Sequence, residues 1–452
     1  MRSIRTRELA LLLLGDVFSL AFSLWLTLVL RSWALPSAYL LKLHFVPFSI
    51  LFVVWILVFL IAGFYDPYTK IFRARLPERI LRVQVLNMAL AALLFFFVPV
   101  FGIAPKTNLV IYLIVSSVVI IAWRLVVFPW LLPGNRAQAL LIGGGKEFSE
   151  LKEEVNGNTR YPFYFADSIC IDRLDGGALS ERIFKSLRNL ELSFIIVDTD
   201  NRKLEHILPH LYKPIFSNTE FIDLRDLYEE IFERMPISIL GDDRALRRTA
   251  LHLPHSLYEV LKRAVDAAGA IVLGIPTLLM LPFLILAVRL ESQGPAFISQ
   301  RRIGRDGKIF SAYKLRSMER MEYGVWIGET DNRITRVGSF LRRTRLDELP
   351  QLWNILRGDL SFVGPRPDLE GLAERLAAKI PFYDIRTTVA PGLSGWAQLK
   401  QDYEGKNLSP QSVEETKKRF MYDLYYIKHR SFMLDILIIV RTIRVILARS
   451  GS

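Results

Sequence analysis

A chain of 452 residues that is 51% hydrophobic yet carries a net charge of +13 is too apolar for a wholly soluble protein and too charged for a bundle confined to lipid. It calls for a membrane part joined to a basic aqueous part, in about three units. The single cysteine, Cys170, excludes an internal disulfide framework and a cysteine-rich metal site, and the basic excess points to anionic lipid surfaces or phosphorylated substrates rather than to nucleic acid.

Residues 1–135 hold four apolar runs: Leu9–Leu30, Phe45–Phe64, Val85–Phe101 and Leu109–Val127. Most approach the ~20 residues that cross a bilayer as a helix. The first lacks a small-residue cleavage site, so it is expected to stay. Arg2, Arg5 and Arg7 precede it, and Lys70, Arg73, Arg75, Arg79 and Arg82 fill the second loop. The other loops carry only Arg31, Lys42 and Lys106. This asymmetry predicts a four-span bundle with both ends in the cytoplasm. Arg124, near the end of the fourth span, is expected to snorkel to that face. Asp16, inside the first, is expected to face the bundle interior.

Residues 136–245 alternate buried strands, Ala137–Ile142 and Ser193–Val197, with a helical pattern over Lys146–Val155. That alternation predicts a Rossmann-like parallel sheet. Gly143-Gly144-Gly145 forms a strand-to-helix turn of the kind that cradles phosphate. Phe148 stands where the last glycine of G-x-G-x-x-G belongs, which favours a structural or regulatory domain.

Residues 246–452 open on Ala267–Val288, 22 residues without a charge, interrupted by Gly274, Pro276 and Pro282. Arg247, Arg248, Lys262 and Arg263 lie before it, and Arg289, Arg301, Arg302, Arg305, Lys308, Lys314 and Arg316 after it. Basic flanks on both sides predict a re-entrant helix over about 258–290, broken at Pro276 and Pro282, in place of a fifth span. A hairpin follows, Phe297–Gln300 and Lys308–Lys314 about a Gly304-Asp306-Gly307 turn. Val389–Gln398 is a Pro/Gly-punctuated loop, either substrate-facing or a connector. Phe432–Leu447 reads as an interfacial helix or as one buried against the domain.

Leu341–Pro367, LRRTRLDELPQLWNILRGDLSFVGPRP, concentrates the chemistry. Leu349, Leu352, Trp353 and Leu356 recur on one helical face, and Gly358 is the expected helix end. Asp347 and Glu348 then sit at a helix start, where the macrodipole favours ionised carboxylates. Two readings stand: a plain N-cap, or a nucleophile toward phosphorus beside Arg342, Arg343 and Arg345. Lys314 and Arg316 are either contacts to a phosphate or a solvated strand face. Asp359 is expected to cap the turn after Gly358.

From Leu261 onward the chain resembles bacterial polyprenyl-phosphate sugar-1-phosphate transferases of the monotopic superfamily. The resemblance rests on six ordered blocks: LKRAVD, GPAFISQRRIG, YKLRSM, DNRITRVG, LDELPQLWNILRGDLSFVGPRP and PGLSGWAQ. By layout, the preceding spans and α/β unit are similar to those of the large-form members. The resemblance implies an α/β catalytic domain with a re-entrant membrane helix and interfacial helices, on the cytoplasmic face of the bacterial inner membrane. It implies transfer of sugar-1-phosphate from a UDP-sugar to undecaprenyl phosphate with release of UMP and with Mg²⁺, starting a lipid-linked polysaccharide. By the same resemblance Asp347 is the nucleophile and Glu348 handles metal or protons, while Arg342 lies near the phosphates and Arg366 contacts a second phosphate or the nucleotide. A homodimer through the middle domain is a further expectation. Two features depart from the family pattern. The helix bend, expected as a Ser-Pro step near Leu278-Leu279, is replaced by Pro276 and Pro282, and Arg345 stands where a small or apolar residue is usual. Rival readings are a glycosyltransferase releasing UDP, weakened by the lack of an Asp-x-Asp step, and a membrane scaffold with a nucleotide-sensing domain.

Overall fold

A computed structural model describes residues 2–65, 76–97, 106–131, 136–173, 176–199, 201–204, 219–237, 256–318, 334–401 and 410–447. Lys70, Arg73 and Arg75, Arg247 and Arg248, and the Asp331-Asn332-Arg333 block lie outside these, as do the side chains of Arg2, Arg5, Arg7 and Lys106. The chain forms two compact units, one of residues 1–197 and 207–222, the other of 198–206 and 223–452.

The first unit begins with four long apolar helices: α1 (Arg2–Ser32), α2 (Ala38–Ile61), α3 (Leu76–Phe97) and α4 (Lys106–Ala122). Their shared core is aromatic, with Trp55, Phe48, Phe59 and Tyr112 fully buried. Arg124 does not snorkel. A π-helical turn over Trp123–Val127 follows α4, and the extra residue per turn re-aims the side chains. Arg124 is buried, its Nε donating to Asp16 Oδ1 at 3.0 Å and its Nη1 to the Phe64 carbonyl at 2.8 Å. Tyr65 donates to the other Asp16 oxygen at 2.8 Å. Asp16 is thus an interior residue, as expected, but a paired one. A buried pair with every partner satisfied is tolerated where either charge alone would cost several kcal/mol, about 3–5. Gly15 makes room for the same turn, since a Cβ there would fall 1.8 Å from the Trp123 ring. A short α5 (Phe128–Leu131) closes the segment.

The sheet of this unit has the order β2-β1-β3-β4, with β1 (Ala137–Gly143) parallel to both β2 (Phe163–Cys170) and β3 (Phe194–Val197). Helices α6 (Gly145–Gly157) and α7 (Gly176–Asn189) connect them, and β4 is Glu220–Asp223. At the glycine turn the Gly145 N–H donates to Asp172 Oδ2 at 2.9 Å, and a Cβ on Gly144 would lie 2.5 Å from the same carboxylate. The protein's own anion occupies the place that a ligand phosphate would need.

The second unit is entered through α8 (Leu224–Phe232). Its Glu229 accepts from Lys428 at 2.8 Å, and Met235 just beyond it is buried with Tyr383, Phe420 and Leu424. Next comes α9 (Ser256–Glu291), an unbroken helix of 36 residues that contains both Pro276 and Pro282. Neither proline ends the helix. Each proline deletes one backbone hydrogen bond, and opening the chain further in apolar surroundings would orphan more. The Thr277 hydroxyl supplies a bond to the Leu273 carbonyl at 2.7 Å. With α1–α4, α9 makes five helices among the described residues long and apolar enough to cross a membrane, which places the chain at a membrane.

Both ends of α9 are held by this one unit. Near its start Lys262 pairs with Asp435 at 2.8 Å, Arg263 donates to the Leu356 carbonyl at 2.5 Å, and Asp266 accepts from Phe362 N–H at 3.2 Å. Near its end Val288 is buried with Ala296, Leu315 and Leu341, and Glu291 accepts from Val337 N–H at 2.9 Å. Between them Val272, Leu278, Leu279 and Phe283 are exposed.

The hairpin β5 (Phe297–Ile303) and β6 (Ile309–Leu315) forms as expected, in antiparallel register. After α10 (Arg336–Thr344), a 3₁₀ turn (Leu346–Gln351) leads to α11 (Leu352–Arg357). This two-part path corrects the single helical face proposed for Leu349–Leu356. A 3₁₀ turn advances a different angle per residue than an α-helix, and Trp353 emerges 57% exposed while Leu352 and Ile355 are buried. Gly358, at φ +89°, ends α11 as expected. The remaining elements are β7 (Ser361–Val363), α12 (Glu370–Ala377), β8 (Gly392–Ser394), α13 (Trp396–Lys400), α14 (Val413–His429) and α15 (Phe432–Leu447). α15 is buried on one side only. Leu434, Asp435 and Ile438 are buried, whereas Ile436, Val440 and Ile443 are exposed.

Candidate active site

The Asp347-Glu348 pair is placed by a change of helix type. Arg345 adopts φ +58°, which ends α10 and starts the 3₁₀ turn carrying both carboxylates, at a cost of ~1–3 kcal/mol for a non-glycine residue. Such a local cost is found where the surrounding structure holds a functional geometry in place.

Glu348 is the hub. Its Oε1 accepts from Arg366 Nη2 at 2.7 Å and from Lys314 Nζ at 3.0 Å, with Arg345 Nη1 at 3.8 Å. Burial pushes the Glu348 carboxyl up, but Arg366, Lys314 and Arg345 outweigh it and hold it well below the usual carboxylate range. Asp347 is the opposite case. It is buried and its Oδ1 has no hydrogen-bond partner among the described residues. Burial raises its pKa, Lys314 opposes this, and the adjacent Glu348 charge adds to it. Desolvation therefore outweighs the helix-start effect expected from sequence. Lys314 is itself pulled down by burial, against the pull of Glu348.

Arg366 reaches this pair from a loop built by two facing backbones. β7 and β8 pair in parallel, Ser361 with Gly392 and Val363 with Ser394. Gly364 N–H then donates to the Ser394 carbonyl at 2.9 Å and Gly392 N–H to Pro365 at 3.0 Å. A Cβ on Gly392 would sit 2.1 Å from Gly364 N. The Pro/Gly-rich loop at Val389–Gln398 is therefore the structural mate of Gly364–Pro367.

Behind the loop lies a buried ionic network. Arg386 Nη2 donates to the Arg366 carbonyl at 2.7 Å and to Asp423 at 2.9 Å, and Arg386 also pairs with Asp368. Arg419 and Tyr383 hold Asp368 as well, at 2.7 and 2.8 Å. Burial pushes Asp368 up, but Arg386 and Arg419 hold it well below its ordinary value. Arg302 donates to the Pro367 carbonyl at 2.5 Å, and burial, with the neighbouring Arg366, lowers it to about 10. Sequence reading singled out none of Arg302, Asp368, Arg386, Arg419 and Asp423 for the site, because they share no local pattern.

Of the other expected site residues, Arg342 keeps a buried Nη1 without a partner among the described residues. Arg316 is directed elsewhere, donating to the Ser292 and Gln293 carbonyls at 2.6 and 2.9 Å just past α9. Asp359 accepts from Asn354 at 3.2 Å, a structural role. Among the described residues no three acidic, histidine or cysteine side chains gather as a metal cage. The donor set still suits a hard cation such as Mg²⁺, which keeps waters and substrate phosphates and needs one or two carboxylates. Asp347, with its orphaned oxygen, and Glu348 supply those.

A family model described as bacterial sugar transferase matches residues 257–449. The chain is 40% identical over 205 residues to a UDP-N-acetylgalactosamine-undecaprenyl-phosphate N-acetylgalactosaminephosphotransferase of Aeromonas hydrophila, covering 44% of this chain and 47% of that protein. It is 39% identical over 206 residues to a UDP-glucose:undecaprenyl-phosphate glucose-1-phosphate transferase of Caulobacter vibrioides, covering 44% and 74%. It is 30% identical over 349 residues to a UDP-galactose-lipid carrier transferase of Erwinia amylovora, covering 70% and 69%. The aligned region thus spans about half of the Aeromonas relative and more than two thirds of the other two.

Proposed function

Because the chain belongs to the bacterial sugar transferase family, we propose that it transfers sugar-1-phosphate from a UDP-sugar to undecaprenyl phosphate, releasing UMP and starting a lipid-linked polysaccharide. The observation that carries the reading is Asp347, a buried carboxylate with an unpartnered oxygen beside three cations gathered on Glu348.

In this reading an Asp347 oxygen attacks the sugar-bearing phosphorus. The bond from that phosphorus to the bridging oxygen breaks, and UMP leaves with its electron pair. A phosphate oxygen of the lipid then attacks the same phosphorus and releases Asp347. Arg366, Lys314 and Arg345 face the charge that spreads over the phosphoryl oxygens. Glu348 keeps these cations aimed, and Arg342 has a free donor for the same anion. Asp347 and Glu348 would hold Mg²⁺, which supplies charge neutralisation on the diphosphate. UMP release from a panel of UDP-sugars with undecaprenyl phosphate tests the assignment and identifies the sugar. Absence of UMP with every donor would sink it.

The rate has an acid limb set by Asp347. Its pKa is raised, so the ionised nucleophile is lost as pH falls through a point above the ordinary value for an aspartate. Glu348→Gln removes the adjacent negative charge and frees the cations, so the limb moves to lower pH while the overall rate drops. An acid limb that stays in place in the pH–rate profile contradicts this assignment.

The membrane position follows from α9. A helix whose two ends are bonded to one folded unit leaves that unit on one face of the bilayer, and the basic flanks make it the cytoplasmic face of the inner membrane. Cysteines placed at Ser256 and Ser292, in a Cys170→Ser background, are expected to react with an impermeant thiol reagent from the same side.

A further inference from the structure

Glu233, the residue that ends α8, adopts φ +51°. A residue with a side chain keeps that left-handed backbone only where its surroundings hold it. Here the holding contacts come from α13 and α14. The Glu233 carbonyl accepts from Trp396 Nε1 at 3.0 Å, and its carboxylate pairs with Lys400. Four residues back, Glu229 is buried and accepts from Lys428 Nζ at 2.8 Å, with His429 Nε2 at 3.1 Å. Two residues on, the Met235 N–H donates to the Met421 carbonyl at 2.9 Å. This stretch precedes the residues matched by the family model, which begin at 257, yet it belongs to the same compact unit as the carboxylate pair.

The contacts lead to two supports of the 364–367 loop. Trp396 is buried and stacks on Tyr425 with ring centres 6.0 Å apart. It follows directly on Ser394 and Gly395. The Ser394 carbonyl accepts from Gly364 N–H at 2.9 Å, and a Cβ on Gly395 would lie 2.6 Å from the Gly364 carbonyl oxygen. Backbones packed this closely do not shift independently. A buried indole N–H is costly to leave without its acceptor, so the Glu233 carbonyl fixes where Trp396 sits, and through it where β8 meets the loop. On the other support, Met235 shares an apolar core with Tyr383. The Tyr383 hydroxyl donates at 2.8 Å to Asp368, two residues past Arg366.

Resting on the transfer reading above, we propose that residues 224–237 are a positioning element of the transferase. Through Trp396 on one side and Tyr383 on the other, this element sets the loop that presents Arg366 to the phosphates. Glu233 and Met235 are positioning residues, acting through the loop and not on the substrate. The working transferase of this chain therefore starts at α8, ahead of the stretch that the family model covers.

The test uses the full chain in detergent micelles, with Trp396→Phe and Met235→Ala each cutting one link. Hydrogen exchange is followed in the peptides carrying Gly364 and Gly392, with the β5–β6 hairpin as reference, alongside steady-state UMP release. Each variant is expected to speed exchange at the two glycines by about tenfold while the hairpin exchanges as in the wild type. Each should also lower kcat by about tenfold, with KM for the UDP-sugar little changed. In an Arg366→Lys background Trp396→Phe should lower kcat no further, because the two side chains act as one unit. Additive losses in that background would overturn the proposal, as would wild-type kcat in a protein whose loop has loosened. Unchanged exchange at both glycines would also overturn it, and so would an equal rise in the hairpin, the sign of general destabilisation. If Met235→Ala does not fold, Trp396→Phe decides by the same criteria. A wild-type protein that releases no UMP from any UDP-sugar, yet loosens at Gly364 and Gly392 on Trp396→Phe, would end the transfer reading and leave the hold on the loop standing.

Discussion

Asp347→Asn is expected to abolish sugar-phosphate transfer, with a loss of at least about 10³-fold, the scale on which removal of a covalent nucleophile acts. Asparagine has nearly the same shape, so the 3₁₀ turn over Leu346–Gln351 should persist. What is lost is the anionic oxygen. Glu348 cannot substitute, because Arg366 and Lys314 already hold it. The same substitution is expected to raise the melting temperature. A buried carboxylate oxygen without a partner costs more to desolvate than a neutral amide, and sites tuned for reaction often store such a cost. Radiolabelled phosphosugar should be trapped on the wild-type protein and not on Asp347→Asn. Equal labelling of the two would eliminate Asp347 as nucleophile.

Arg386→Met is the second large effect. Arg386 neutralises two buried carboxylates, Asp368 and Asp423, and caps the Arg366 carbonyl. Methionine keeps the bulk, takes the Arg386 cation from Asp423 and leaves Asp368 to Arg419 alone, a loss on the order of 3–5 kcal/mol for breaking a buried pair from one side. The second unit should melt markedly earlier, and UMP release should fall with the loosening of the Gly364–Pro367 loop. Arg386→Lys should restore only part of this, because an ammonium cannot reproduce the forked contacts of a guanidinium. An Arg386→Met protein that melts and turns over like the wild type would show that the loop is held by its β7–β8 pairing alone.

The two substitutions differ in how readable they were beforehand. Asp347 stands out in the sequence because its signals are local: clustered arginines before it, a glycine-ended helix after it, and a Gly-Pro-Arg-Pro turn. Arg386 carries no such signal, since its partners lie 18 and 37 residues away. Two prolines show the converse case. Pro276 and Pro282 are strong local punctuation, yet the chain stays helical through both, because the alternative exposes backbone groups in apolar surroundings.

The amino-acid order by itself determined the apolar helices, the β5–β6 hairpin, the glycine end of α11 and the acidic pair, all features written in short-range periodicity and turn chemistry. Tertiary structure alone decided which charges meet. It turned Arg124 inward to Asp16, sent Arg316 to the end of α9, and gathered Lys314, Arg345 and Arg366 onto Glu348 while leaving Asp347 Oδ1 without a partner. The physical reason is that the state of a carboxylate depends on burial and on cations brought from distant segments. Neighbours in sequence can therefore end as opposites, the Glu348 carboxyl pulled down by its cations and the Asp347 carboxyl pushed up by burial.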